Sequence, residues 1–128
     1  MVITITAPAG GNKTKTALEL AAMSLKNGKK VVFLTTDSDY AGWVTYIESF
    51  CGADTKNFRP VYCSDLNGAL HIVPYVDHLP YDVIILDGFS YEIASLTNSD
   101  YKSMIKDMLN CTTDKSGKII ITMMQNSL

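Results

Sequence analysis

The sequence predicts an α/β protein, a three-layer α/β/α sandwich built around a mainly parallel sheet. Three observations carry that expectation. The strand-like runs are short and apolar throughout, as strands buried on both faces must be. Between them lie longer segments whose apolar residues recur at helical spacing. The two kinds alternate along the chain, which is the order that crossover connections of a parallel sheet require.

Val2-Ile3-Thr4-Ile5-Thr6-Ala7 is β-branched and brief, and it runs into Pro8 and two glycines, so it reads as a buried strand entering a loop. Residues 14–27 place Ala17, Leu18, Ala21, Ala22 and Leu25 at helical spacing, and Asn27-Gly28 stops that helix. A second strand follows at 31–36, then a helix over 43–50 that Gly52 ends. Residues 59–63 form a weaker strand, and 67–76 a helix stopped near Pro80. The run 82–87 is the clearest of the later strands, being apolar from Val83 to Leu86 and closed by Asp87. Helical periodicity resumes over 100–109 through Tyr101, Met104, Ile105, Met108 and Leu109. Ser116-Gly117 then leads into a last buried strand, 118–124.

Size and composition set the outer bounds. A chain of 128 residues, 47% hydrophobic and 19% charged, suits one domain over 1–128 and excludes a disordered tail or a collagen-like repeat. The net charge of −2 weighs against a nucleic-acid binder working by bulk charge. That charge is unevenly spread. Residues 1–30 carry five lysines against Glu19 alone, a local +4, and the remainder is −6. An anion site inside an acidic protein is compatible with that asymmetry. No run approaches the length of a membrane span or a signal peptide's apolar region. Cys51, Cys63 and Cys111 have neither an even count nor CxxC spacing, which argues against a disulfide framework and a zinc site. The expectation is a cytoplasmic protein with no membrane association.

The chemistry concentrates at the first turn. Ligands of parallel sheets bind beyond the carboxyl ends of the strands. The first of those ends is Ala7-Pro8-Ala9-Gly10-Gly11-Asn12-Lys13-Thr14, followed by Lys15 and Thr16. Against the phosphate-loop (Walker A) pattern GxxxxGK[ST], Ala7 and Asn12 replace the two glycines while Lys13 and Thr14 match. Asn tolerates the left-handed backbone that such a turn demands, so the second replacement is one the geometry survives. The expected cofactor-binding set is Ala9, Gly10, Gly11, Asn12, Lys13, Thr14 and Lys15. Backbone N–H groups and the positive helix end would surround a phosphate, Lys13 would reach its outer oxygens, and Thr14 would ligate Mg²⁺. A second register, with Lys15 and Thr16 in those roles, puts Ala9 and Thr14 in place of both glycines. The bland alternative is a Gly-rich turn with two solvated lysines.

Asp87 shifts the balance. It ends an apolar strand, the arrangement that sets a carboxylate beside Mg²⁺ and its waters, and a phosphate loop precedes it in the chain. With the loop, the strand 31–36 reaching Asp37, the strand ending at Asp87, and the strand 118–124 followed by Gln125, the chain resembles the ATPase core shared by RecA, DnaB and KaiC. The resemblance covers residues 2–126. It implies ATP and Mg²⁺ as cofactors and a place in DNA metabolism. It also implies Asp37 as the group activating the attacking water, where Glu is usual, and Gln125 as the sensor of the γ-phosphate. The catalytic set is then Asp37, Lys13 and Gln125, with Thr14 and Asp87 on the metal. It further implies that strand 118–124 lies between the loop strand and strand 82–87.

The chain departs from that family in four ways. The family core continues with further strands and DNA-binding loops, whereas Leu128 ends this sequence. Arg59 is the one arginine and precedes Pro60 in a strand-like run, a poor position for an arginine finger. Asp37 is one methylene shorter than Glu, and the loop is degenerate. A ParA/MinD-like ATPase is the nearest rival, but it carries a signature Lys where this chain has Pro8 or Ala9. A non-catalytic interaction module, docking to a larger ATPase or forming a homo-oligomer, is the reading from another class. Trp43, Tyr40 and Tyr46 fit core positions better than base stacking, and Met104, Met108, Met123 and Met124 fit core filling. His71 and His78 have no visible acid or nucleophile partner.

Overall fold

The computed structural model describes residues 1–7, 13–37, 40–73, 80–111 and 118–125. Among these residues five strands and five α-helices follow one another as β1 (Val2–Ala7), α1 (Lys13–Lys26), β2 (Val31–Thr35), α2 (Tyr40–Thr45), β3 (Phe58–Tyr62), α3 (Leu66–Ile72), β4 (Val83–Asp87), α4 (Ser90–Ala94), α5 (Asn98–Cys111) and β5 (Ile119–Gln125). The strands form one sheet in the order β1-β5-β4-β2-β3, and every neighbouring pair is parallel. The last strand therefore sits between the first and β4, as anticipated.

Burial explains the sheet. Every residue of β2 and of β4 is buried, so these apolar runs occupy the middle. Their side chains alternate between two cores, as the two-residue period of a strand dictates. Val31, Phe33, Val83 and Ile85 pack with Ala17, Leu18, Ala21 and Ala22 of α1 and with Trp43 and Ile47. Val32, Leu34, Ile84 and Leu86 pack with Leu66 and Ala69 of α3, Ile93 of α4, and Met104 and Met108 of α5. Helices thus cover both faces. Each large apolar side chain buried in this way contributes roughly 1.5–3 kcal/mol.

Local chemistry sets the helix ends. After α1, Gly28 at φ +75° turns the chain, with Gly28 N–H donating to Leu25 O and Lys29 N–H to Ser24 O, both at 3.0 Å. That pair of bonds is a Schellman cap. Asp65 caps α3 by accepting from Gly68 N–H at 2.8 Å.

Two elements differ from the periodicity reading. The helix expected over 43–50 begins at Tyr40, and its last turn, Tyr46–Phe50, is π-helical, with Cys51 N–H reaching back to Tyr46 O at 3.2 Å. The short helix α4 was not anticipated, because five residues are too few for a 3.6-residue period to register. It forms where Phe89, Ser90 and Ile93 are buried. The helix expected over 67–76 is seen as α3, and residues 74–79, with His78, lie outside the described residues.

Trp43 is core, 5% exposed and 5.4 Å from the Phe33 ring. Tyr46 is half-buried and stacks on Phe50, while the side chain of Tyr40 is not among those described. Met104, Met108 and Met123 are buried and Met124 is half-buried. Cys51 and Cys63 are free thiols. Among the described residues no helix is long and apolar enough to cross a membrane.

Candidate functional site

Because all five described strands are parallel, their carboxyl ends share one edge of the sheet, and there Lys13, Thr14, Asp37, Asp87 and the backbone of Gln125 come together. β1 delivers the chain to that edge at Ala7, and α1 leaves it with Lys13 and Thr14 as its first two residues. Of the expected loop residues, Ala9, Gly10, Gly11 and Asn12 lie outside the described residues. Lys15 is the third residue of α1 and is exposed.

The first turn of α1 holds two lysines, Lys13 and Lys15, and no acid. That reverses the usual preference, since a helix N-terminus carries partial positive charge and favours anions. An anion at this end would relieve the arrangement.

Asp87 closes β4 and is 3% exposed. Its Oδ2 accepts a 2.8 Å hydrogen bond from the Thr14 hydroxyl. Burial pushes the Asp87 carboxyl above its ordinary range; the Thr14 bond and the Lys13 charge pull it down, Asp37 pushes it up, and the Gly88 backbone N–H pulls it down. The net displacement is upward, so the ionised form is held at a cost. Lys13, Thr14, Asp37 and Asp87 therefore share one electrostatic neighbourhood.

Asp37 follows β2, the strand beside β4, and is exposed. Its backbone N–H donates to Thr35 Oγ1 at 3.0 Å. Thr35 is fully buried and lies directly across from Asp87 in the β2–β4 register. The Thr36 hydroxyl in turn donates to Gly88 O at 3.3 Å, tying the segments that leave β2 and β4. Thr35, Thr36 and Gly88 were not singled out from sequence. The signal was present as hydroxyls at the end of an otherwise apolar strand and a glycine directly after a strand-terminal aspartate.

Gln125 ends β5 opposite Ala7, so its backbone reaches the same edge between β1 and β4; its side chain is not among those described. Arg59 lies near the amino end of edge strand β3, paired with Val32. It is three residues short of the level of Thr35, roughly 10 Å along a strand. His71 is exposed, with Nδ1 2.7 Å from Asn67 O in its own helix.

Among the described residues no group of three or more His, Cys, Asp or Glu could hold a metal ion by itself. Among the described residues, the Asp87 carboxylate and the Thr14 hydroxyl, joined to each other, lie here with the exposed Asp37 nearby. That set suits a hard cation such as Mg²⁺, which draws its other ligands from water and substrate phosphates and seldom uses an all-protein cage.

No family model matches the chain, and no curated protein matches it. The functional reading therefore rests on the site.

Proposed function

We propose that this chain binds ATP with Mg²⁺ at the carboxyl edge of the sheet, as a phosphate-loop domain of RecA-like type. The observation that carries the reading is the 2.8 Å bond between Thr14 and the buried Asp87. A hydroxyl directly after a helix-opening lysine and a carboxylate at the end of a neighbouring apolar strand are the two protein groups such a site needs beside its cation. The absence of acid and the two lysines in the first turn of α1, and the raised Asp87 carboxyl, also support it, because cations at a helix amino end suit a phosphate and a buried carboxylate suits a cation.

In this reading Lys13 and the amino end of α1 hold the phosphates, while Thr14 and Asp87 hold Mg²⁺. The cation would offset charge on the phosphate oxygens. Asp37, just past the end of the strand beside that of Asp87, orients water, and Gln125 sits by the terminal phosphate. The resemblance assigns those last two roles.

Binding without efficient turnover is a second reading, favoured by Arg59. The one arginine of the chain sits toward the opposite end of its strand from the site, so this chain supplies its own site with no arginine at the phosphates. A non-catalytic module that binds nucleotide and docks to a partner would tolerate that placement.

Titration with a fluorescent ATP analogue, with and without Mg²⁺, tests the proposal, in parallel with Lys13→Ala. Magnesium-dependent binding that the variant loses supports the site. Absence of binding at millimolar nucleotide by folded protein would overturn it.

A further inference from the structure

A second feature lies away from the carboxyl edge. Among the described strands β1 is the outermost on its side of the sheet, and none of them pairs with its outer edge. Met1 O accepts from Ile120 N–H, so alternate residues turn their backbone groups inward toward β5, and those of Val2, Thr4 and Thr6 turn outward. Beside this edge is a groove of about 380 Å³ lined by Val2, Thr4, Tyr101, Lys102, Ile105 and Lys106. Its floor is strand and its wall is one flank of α5. The apolar surface comes from Val2, Ile105 and the Tyr101 ring, and the charge at its rim is positive.

That charge is segregated. On α5 the helical period puts Lys102 and Lys106 on the flank facing β1, whereas Asp100 and Asp107 fall on the other side of the buried stripe that contains Met104 and Met108. Both lysines are exposed, and neither has a carboxylate partner among the described residues. A second copy of this chain is the poorer occupant. Pairing β1 with its own copy about a two-fold axis would bring the same lysines of both molecules toward one interface, and edge lysines are a common defence against such self-pairing.

We infer that the β1 edge and its α5 groove form a docking site for an extended acidic polypeptide segment of a partner protein. The segment adds a strand to β1 through the outward backbone groups of Val2, Thr4 and Thr6. The set of its alternate side chains that faces α5 is acidic, with carboxylates meeting Lys102 and Lys106 and aliphatic stems lying against Ile105 and Tyr101. Main-chain bonds supply the affinity, and the lysines select the charge. This inference does not depend on nucleotide binding, because the groove lies on the flank of the sheet and shares no residue with the candidate site.

The test is fluorescence anisotropy of a labelled eight-residue peptide of alternating Glu and Val, together with its Lys–Val counterpart. Saturable binding of the acidic peptide to the full chain is expected, weakening as salt rises. The double variant Lys102→Glu, Lys106→Glu, altered only at exposed positions and checked by circular dichroism, should lose at least about tenfold in affinity and gain binding of the Lys–Val peptide. Of the two alternate sets of backbone amides on the acidic peptide, N-methylation of one should abolish binding and of the other should spare it, without touching the protein. The inference is overturned if the acidic peptide fails to bind at millimolar concentration, or if binding ignores charge reversal or N-methylation. It is also overturned if the protein sediments as a dimer that the acidic peptide cannot dissociate, or if a single-stranded oligonucleotide displaces the bound peptide.

Discussion

Thr14 and Asp87 are 73 positions apart in the chain and are joined by a 2.8 Å hydrogen bond between hydroxyl and carboxylate. The bond links the first turn of α1 to the end of β4, so it couples the helix that would hold an anion to the acid that would hold a cation. Thr14→Val keeps the shape and removes the donor. Because the acceptor is a buried carboxylate, the loss should be about 1–3 kcal/mol in urea denaturation. Thr14→Ser should recover most of it. Magnesium-dependent nucleotide binding should fall with Thr14→Val and persist with Thr14→Ser.

Asp87 gives the apo protein a specific pH dependence. Its carboxyl is raised chiefly by burial, so the folded state holds that proton more tightly than the unfolded state does. The corresponding stability is fully present below the ordinary carboxylate range and is lost as pH rises through the raised folded value. Asp87→Asn stays neutral and can still accept from Thr14. Without ligand, its thermal midpoint should exceed that of the wild type by a few degrees near neutrality, and the gap should close toward about pH 4. A gap independent of pH would show that Asp87 titrates as it does in the unfolded chain. Mg²⁺ with nucleotide should raise the wild-type midpoint and leave that of Asp87→Asn nearly unmoved.

Gly88 follows Asp87 at φ +91°, and a Cβ placed there would lie 2.5 Å from Thr36 Oγ1. Gly88→Ala therefore meets both backbone strain and a clash with the segment leaving β2. A cost of about 1–3 kcal/mol is expected from the backbone alone. Adding Thr36→Ala removes the hydroxyl that the new methyl would strike, so the double variant should be less destabilised than the sum of the two single changes. Denaturation of the four proteins measures that coupling.

Phe33 is fully buried, its ring 5.4 Å from that of Trp43 and 5.8 Å from that of Phe58. Phe33→Ala should cost about 3–5 kcal/mol, a large part of the stability of a domain this size. Trp43 is the single tryptophan, so its emission reports this core without ambiguity. The variant should show red-shifted emission and a lowered urea midpoint.

The strands were legible because buried parallel strands are apolar along their whole length, as in Val83-Ile84-Ile85-Leu86. The long helices α1 and α5 were legible because each repeats its apolar face for nearly four turns. Helix α4 was not, since its formation depends on Phe89 and Ile93 finding the core beside Met104 and Met108. The π-helical turn at Tyr46–Phe50 was also hidden, because a one-residue widening leaves the hydrophobic spacing almost unchanged. At the site, Lys13, Thr14 and Asp87 stood out by residue type and position. Thr35 and Thr36 did not, because a threonine at a strand end carries no distinctive pattern until its partner is known.

By itself the sequence determined the α/β class, the run of strands and longer helices, and which residues stand at strand ends. These are local properties: side-chain period, β-branching, and the backbone freedom of glycine. The place of β5 between β1 and β4 was expected from the resemblance alone; only the tertiary structure decided that Thr14 donates directly to Asp87, and that Asp37 stands near enough to act on the same carboxyl. It also decided that β1 is the outermost described strand, with Lys102 and Lys106 beside its outer edge. The reason is that strand order and side-chain pairing arise from contacts between residues far apart in the chain, which depend on how both cores close around one sheet and not on any local pattern.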